Sequence, residues 1–136
     1  MPTPREVFDR AHALVRSYDI GYVDCFAPDG VLVCPFAPPG FPRRTEGRDA
    51  IRALLAPRYA AARASGRRIA EYRHVVVHDT ADPEVIVVEF EAIGIERDGT
   101  TRYALPFIQV IRVRDGAIVE QRDYFDALAM TPRLAS

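Results

Sequence analysis

Charge of either sign is scarcely in surplus. Eighteen Lys and Arg stand against nineteen Asp and Glu in the 136-residue chain, a net charge of −1. A nucleic-acid partner is not expected, because gripping phosphates takes a clustered excess of positive charge. Cysteine is scarce too. Cys25 and Cys34 fit neither a zinc-ligand spacing nor a disulfide framework, which points to a reduced, cytoplasmic protein. No apolar run approaches the ~20 residues of a membrane helix, and the N-terminus has no hydrophobic signal core, so neither membrane insertion nor secretion is expected. A glycine-rich phosphate loop, a Ser-His-Asp motif and clustered metal ligands are also missing. No metal and no organic cofactor is expected.

What is present is an apolar half. Hydrophobic residues make up 49% of the chain, enough for one packed core, so residues 1–136 are read as a single domain. Prolines number eleven, yet four of them fall with one glycine between Pro35 and Arg44, which marks a loop long enough to rim a pocket. Thr3-Pro4-Arg5-Glu6 has the form of a helix start: threonine to cap, proline at the first helical position, glutamate to complete a capping box. Val7, Phe8, Ala11, Leu14, Val15 and Tyr18 follow at helical spacing. A short helix is predicted over Ile20–Phe26 and a short strand over Val31–Cys34. A longer helix is predicted over Gly47–Ala64, with a kink or break near Ala56 imposed by Pro57.

The second half changes period from about 3.6 to 2. Strands are predicted over Ile69–Asp79, Glu84–Ile95, Arg102–Val113 and Ala117–Phe125, separated by Asp82-Pro83, Asp98-Gly99 and Asp115-Gly116 at hairpin spacing. Helices first and an antiparallel meander after them make an α+β architecture.

Strand alternation sorts the residues that could carry chemistry. In the last strand Val119, Gln121, Asp123 and Phe125 share a face. One carboxylate among apolar neighbours has the profile of a pocket wall, where burial would raise its pKa and suit it to proton transfer. The competing reading is a strand-end aspartate paired with Arg122 or with a neighbouring strand. Tyr103, Leu105, Phe107, Gln109 and Ile111 share a face that suits either a ligand cavity or plain core. Glu89 and Glu91 share a face opposite Val88 and Phe90; they either assist in a pocket or form a solvated face. His74 and His78 stand roughly 13 Å apart along one strand, too far to chelate one metal. His12 is placed beside the apolar stripe of the first helix. Both cysteines read as small buried hydrophobes.

Four strings then occur in order: Phe26-Ala27-Pro28-Asp29-Gly30, Glu46-Gly47-Arg48-Asp49-Ala50-Ile51, Val113-Arg114-Asp115-Gly116-Ala117-Ile118-Val119 and Arg122-Asp123-Tyr124-Phe125-Asp126. Together they resemble the SnoaL-like branch of the nuclear-transport-factor-2-like superfamily, over essentially the whole chain. The resemblance implies a cone: a curved antiparallel sheet wrapped by about three N-terminal helices around an apolar pocket, in a homodimer. It implies no single reaction, since one fold hosts several.

Position by position, the resemblance discriminates. The general-base aspartate of ketosteroid isomerases falls on Cys34, and their oxyanion-hole aspartate on Gln109. The Arg-x-Asp of limonene-type epoxide hydrolases looks like Glu89-Phe90-Glu91. Their water-holding tyrosine and asparagine fall on Leu32 and Cys34, and their last-strand acid matches Asp123. SnoaL cyclases place a proton-abstracting aspartate after a lead-in similar to Gly116-Ala117-Ile118-Val119-Glu120, again at Asp123. PhzA/PhzB proteins put a glutamate there, while their helix histidine falls on Leu54.

The resemblance therefore implies a cofactor-independent enzyme with Asp123 as general acid or base on a hydrophobic, carbonyl-bearing substrate. Gln109 and Glu91 would assist catalysis. Tyr103, Phe107, Glu89, Cys34, Leu32, Gln121 and Phe125 would bind the substrate. The reaction would be a cyclisation, isomerisation or dehydration. One alternative is an epoxide hydrolase holding water between Asp123 and Glu91. The other is a non-catalytic binding or dimerisation module whose pocket is filled by side chains.

Overall fold

In the computed structural model, which describes residues 1–134, three α-helices, six strands and one 3₁₀ helix follow one another. Helix α1 covers Pro4–Arg16, with the capping box formed as its sequence predicts: Thr3 Oγ1 accepts from the Glu6 N–H, and the Glu6 side chain accepts from the Thr3 N–H. The predicted second helix is a 3₁₀ helix, Ile20–Cys25, capped by Asp19. Strands β1 (Phe26–Val33) and β2 (Arg44–Glu46) precede α2 (Arg48–Ser65). Strands β3 (Arg68–Asp79), β4 (Val85–Ile95), β5 (Arg102–Arg114) and β6 (Ala117–Phe125) follow, and α3 (Ala127–Leu134) comes last.

The six strands form one sheet in the order β2-β1-β6-β5-β4-β3. The meander from β3 to β6 matches its predicted spans within a residue or so. At Asp115-Gly116 both residues have positive φ, which is what a tight hairpin turn demands and why glycine is there. The sheet is not wholly antiparallel, however. β1 runs parallel to β6, with Leu32 opposite Gln121 and Val33 opposite Arg122. A parallel neighbour needs a crossover, and the whole stretch from β2 to β5 supplies it.

Two further predictions need correction, and two elements were not anticipated. Strand β1 starts at Phe26 rather than at Val31, because Ala27-Pro28-Asp29-Gly30 lies within the strand, where its pairing with β6 is irregular. Gly30 permits the close approach there, since a Cβ would stand 2.8 Å from the Ile118 carbonyl oxygen. Helix α2 continues through Pro57, and the Arg58 guanidinium donates to the Leu54 carbonyl at 2.8 Å in the turn that proline loosens. Strand β2 and helix α3 were not predicted. Asp126 accepts from the N–H groups of Leu128 and Ala129 and so starts α3 as a cap residue. Helix α1 packs on β3, β4 and β5, and α2 on β1 and the 3₁₀ helix. Phe26, Val23, Ile51, Val88, Ile111 and Ile118 are the fully buried centre of the core.

Candidate active site

The helices cover the inner face of the sheet without filling it, and a cavity of about 220 Å³ remains between them. It exceeds the roughly 150 Å³ apolar cavity that takes up benzene. Alternation brings Tyr103, Leu105, Phe107, Gln109 and Ile111 of β5 to its wall, beside Gln121, Asp123 and Phe125 of β6. Leu32 of β1 and Cys34 just beyond it join them, and Phe41 enters from the proline-rich loop. Val119 does not follow its expected companions. The register slips between Arg112 and Val113, so Ile118 turns inward and Val119 is left unpaired at the bulge.

Asp123 is the cavity's acid. It stands directly across the β5–β6 ladder from Gln109, whose Nε2 donates to Oδ1 at 3.4 Å. Burial raises its pKa to about 7, and the Gln109 hydrogen bond opposes that only weakly. Among the described residues no ion pair forms with this carboxylate. Of the two partners expected for a strand-end aspartate, the neighbouring strand supplies one through Gln109, and Arg122 does not pair with it: that guanidinium lies against Tyr124, with Nε donating to its hydroxyl at 3.1 Å. Beside the acid, Tyr22 donates its hydroxyl to Gln121 Oε1 at 3.0 Å, and both side chains are buried. Burial pushes the Cys34 thiol up to about 12, with the nearby Asp123 charge adding to it, so this cysteine is a wall and not a nucleophile.

Several lining residues were not among the expected site residues. Tyr22, Tyr59 and Tyr72 all border the cavity, and burial, with a smaller push from Asp123, raises each phenol. They remain protonated donors at any ordinary pH. His12 faces the cavity rather than the edge of its helix: it stacks on Tyr72 with ring centroids 3.4 Å apart and meets Phe90 edge-on at 4.4 Å. Burial lowers its pKa to about 4, so it is a neutral imidazole. The signal was available, because His12 lies four residues after Phe8 and three before Val15. Arg58 and Arg67 also line the cavity.

Glu89 and Glu91 do not reach the cavity. Both lie on the outer face of the sheet, where Glu89 Oε2 is 2.7 Å from His78 Nε2 and Glu91 Oε1 is 3.8 Å from His74 Nε2. Their neighbours Phe90 and Ala92 took the inward positions. The expected water site between Asp123 and Glu91 is therefore not formed, since the two acids are on opposite faces. Among the described residues no group of three His, Cys, Asp or Glu could hold a metal ion, and no helix is long and apolar enough to cross a membrane.

Comparison with known proteins adds a lineage to this geometry. The SnoaL-like domain family matches residues 9–121. A PhzA/B-like protein of Pseudomonas aeruginosa is 36% identical over 127 residues, covering 91% of this chain and 84% of that protein. A Bacillus subtilis protein, described in its crystal structure as a candidate isomerase, is 26% identical with a TM-score of 0.79, over 96% of this chain and 91% of that one. A candidate polyketide cyclase of Pseudomonas putida shares the fold at 16% identity, with a TM-score of 0.69 over 98% of both chains. The architecture is nuclear-transport-factor-2-like, a curved, unclosed six-stranded sheet with helices. The chain belongs to the SnoaL-like domain family.

Proposed function

We propose that the protein is a cofactor-independent enzyme in which Asp123 moves a proton at the carbon beside a carbonyl group of a hydrophobic substrate. One observation carries this reading: a single carboxyl group in an apolar cavity, raised to about 7 by burial and held by one amide donor. A carboxylate with that pKa is a stronger base than one in water and is still substantially ionised near neutrality. Gln109 orients it, and the cavity's phenols supply donors for the oxygen on which negative charge develops. Aldol cyclisation, double-bond isomerisation and dehydration can each begin with this same proton removal. The residues therefore support the shared step rather than one product.

The relatives described as a candidate isomerase and a candidate polyketide cyclase fit such a step. The reading takes residues 1–136 as one domain in a reducing, cytoplasmic setting, which the two free, buried cysteines suit. It also keeps the homodimer that the family resemblance implies. Light scattering would give a mass near twice 15.2 kDa for the dimer. The test of the chemistry is solvent exchange. In D₂O, 2-tetralone should lose its protons at carbon 1 to deuterium faster with the protein than without it, as followed by NMR. The asparagine variant at 123 should not accelerate the exchange. Equal rates for the two proteins would remove Asp123 from the chemistry.

A further inference from the structure

Arg58 is a cation without an anion. The inward stripe of α2 runs through Ile51, Leu55, Arg58, Tyr59 and Ala62, so an arginine occupies a place where helical periodicity calls for an apolar residue. The residue lines the cavity. Nη1 donates to the Leu54 carbonyl at 2.8 Å, and the central carbon lies 5.1 Å from the centre of the Phe41 ring. These contacts fix the group from two sides, and Nε is buried with no hydrogen-bond partner among the described residues. Arg67, the other cavity arginine, has Glu96 Oε2 at 3.4 Å from its Nε. Arg58 forms no ion pair with any described residue. Nor is it the counter-ion of Asp123, whose pKa no cation lowers.

A buried donor left unpaired is costly, and more so on a charged group. With Nη1 on the Leu54 carbonyl and Nε buried, Nη2 is the accessible nitrogen with no partner among the described residues, and a charge-assisted hydrogen bond to a carboxylate would satisfy it. The cavity wall is aromatic: Phe90 and Phe107 stack with centroids 5.1 Å apart, and Phe41 lies over the cation. We infer that Arg58 binds an anionic group of the substrate, and that the substrate is a flat, cyclic carboxylic acid. This inference rests on the reading that the cavity holds a small-molecule substrate, and it adds the substrate's charge and the place where that charge is bound.

An isosteric pair tests it: 2-naphthoate and 2-naphthamide differ in charge and hardly in shape. Titrated calorimetrically into the whole protein at about pH 6, where Asp123 is mostly neutral, the acid should bind about tenfold tighter than the amide or better. Arg58→Gln should abolish that preference while leaving amide affinity within about twofold, and Arg58→Lys should restore part of it. Equal affinities in the unaltered protein overturn the inference, as do a preference that survives in R58Q and no binding of either compound at millimolar concentration. The wild-type comparison stands even if R58Q does not fold. Failure here is separable from failure of the proton-transfer reading: lost acid preference with intact exchange of 2-tetralone removes only the role of Arg58.

Discussion

Asp123 and Glu91 belong to one sheet, and each sits in a strand of alternating apolar and polar residues, yet their surroundings are opposite. Asp123 on the inner face meets one amide, a set of phenols and, among the described residues, no paired cation, and holds its proton up to about pH 7. Glu89 and Glu91 on the outer face stand half exposed beside His78 and His74. Asp98 shows the opposite extreme in a turn, where hydrogen bonds from the Thr101 side chain and the Thr100 and Thr101 N–H groups hold it down to about 2. Water and partners make a carboxylate an ordinary surface group. Deprived of both, the same group becomes a base that works near neutral pH.

The sharpest way to break this contrast is to neutralise one acid on each face. Asp123→Asn keeps the shape of the side chain and removes its proton chemistry. Exchange of 2-tetralone should fall by about 10²–10⁴-fold, the usual worth of a positioned general base, while ligand affinity changes little. Glu91→Gln should leave the rate within about twofold. A comparable loss in both variants would erase the distinction between the faces.

Stability should carry the same signature. The folded pKa of Asp123 is raised above the unfolded value, so below about pH 4 the group is neutral in both states. As pH rises from about 4 to 7 the unfolded chain gains from ionising first, and stability is lost. The full shift from 3.8 to about 7 corresponds to roughly 4 kcal/mol. Asp123 keeps some surface on the cavity, where water can solvate it, so a loss of about 2 kcal/mol is the expected size. Urea midpoints between about pH 4 and pH 8 should show this decline in the wild-type protein and lack it in Asp123→Asn.

The same contrast explains what could be read from the sequence. Alternation groups Gln121, Asp123 and Phe125 on one face of their strand and Phe107 and Gln109 on one face of theirs, because a strand's period of two is strict wherever the ladder is regular. It fails at Val119, where a bulge shifts the phase, and it could not choose the facing of Glu89 and Glu91, since either set of alternate residues can turn inward. The hairpins were legible through Asp98-Gly99 and Asp115-Gly116, whose turn chemistry is local. The parallel pairing of β1 with β6 was not, because it joins segments about ninety residues apart and no local signal specifies it. Tyr59 and Arg58 reach the cavity from a helix that Pro57 had suggested was broken. Their place in the wall became visible only with α2 continuous.

Within the inner face, the Tyr22–Gln121 pair offers a smaller test. Tyr22→Phe keeps the ring and deletes the hydroxyl that donates to Gln121 Oε1. That leaves a buried amide oxygen without its donor, which should destabilise the protein by about 1–3 kcal/mol. Chemical denaturation measures it, and an unchanged midpoint would mean that Gln121 finds another donor.

The smallest effect is expected outside. Glu89→Gln weakens the contact with His78, yet both side chains are about half exposed, 52% and 49%, so water replaces most of what is lost. Exposed pairs of this kind contribute about 0–1 kcal/mol, and the glutamine retains a hydrogen-bonding oxygen at the same place. The urea midpoint should therefore move by no more than about 0.5 kcal/mol, and the exchange rate should stay within about twofold. If Glu89→Gln slowed exchange tenfold at unchanged stability, the outer face would be coupled to the cavity through Phe90. That residue sits between the two glutamates in sequence and packs on Phe107 at the cavity wall. An unchanged rate instead confines the chemistry to the inner side of the sheet, with residue-by-residue alternation as the boundary.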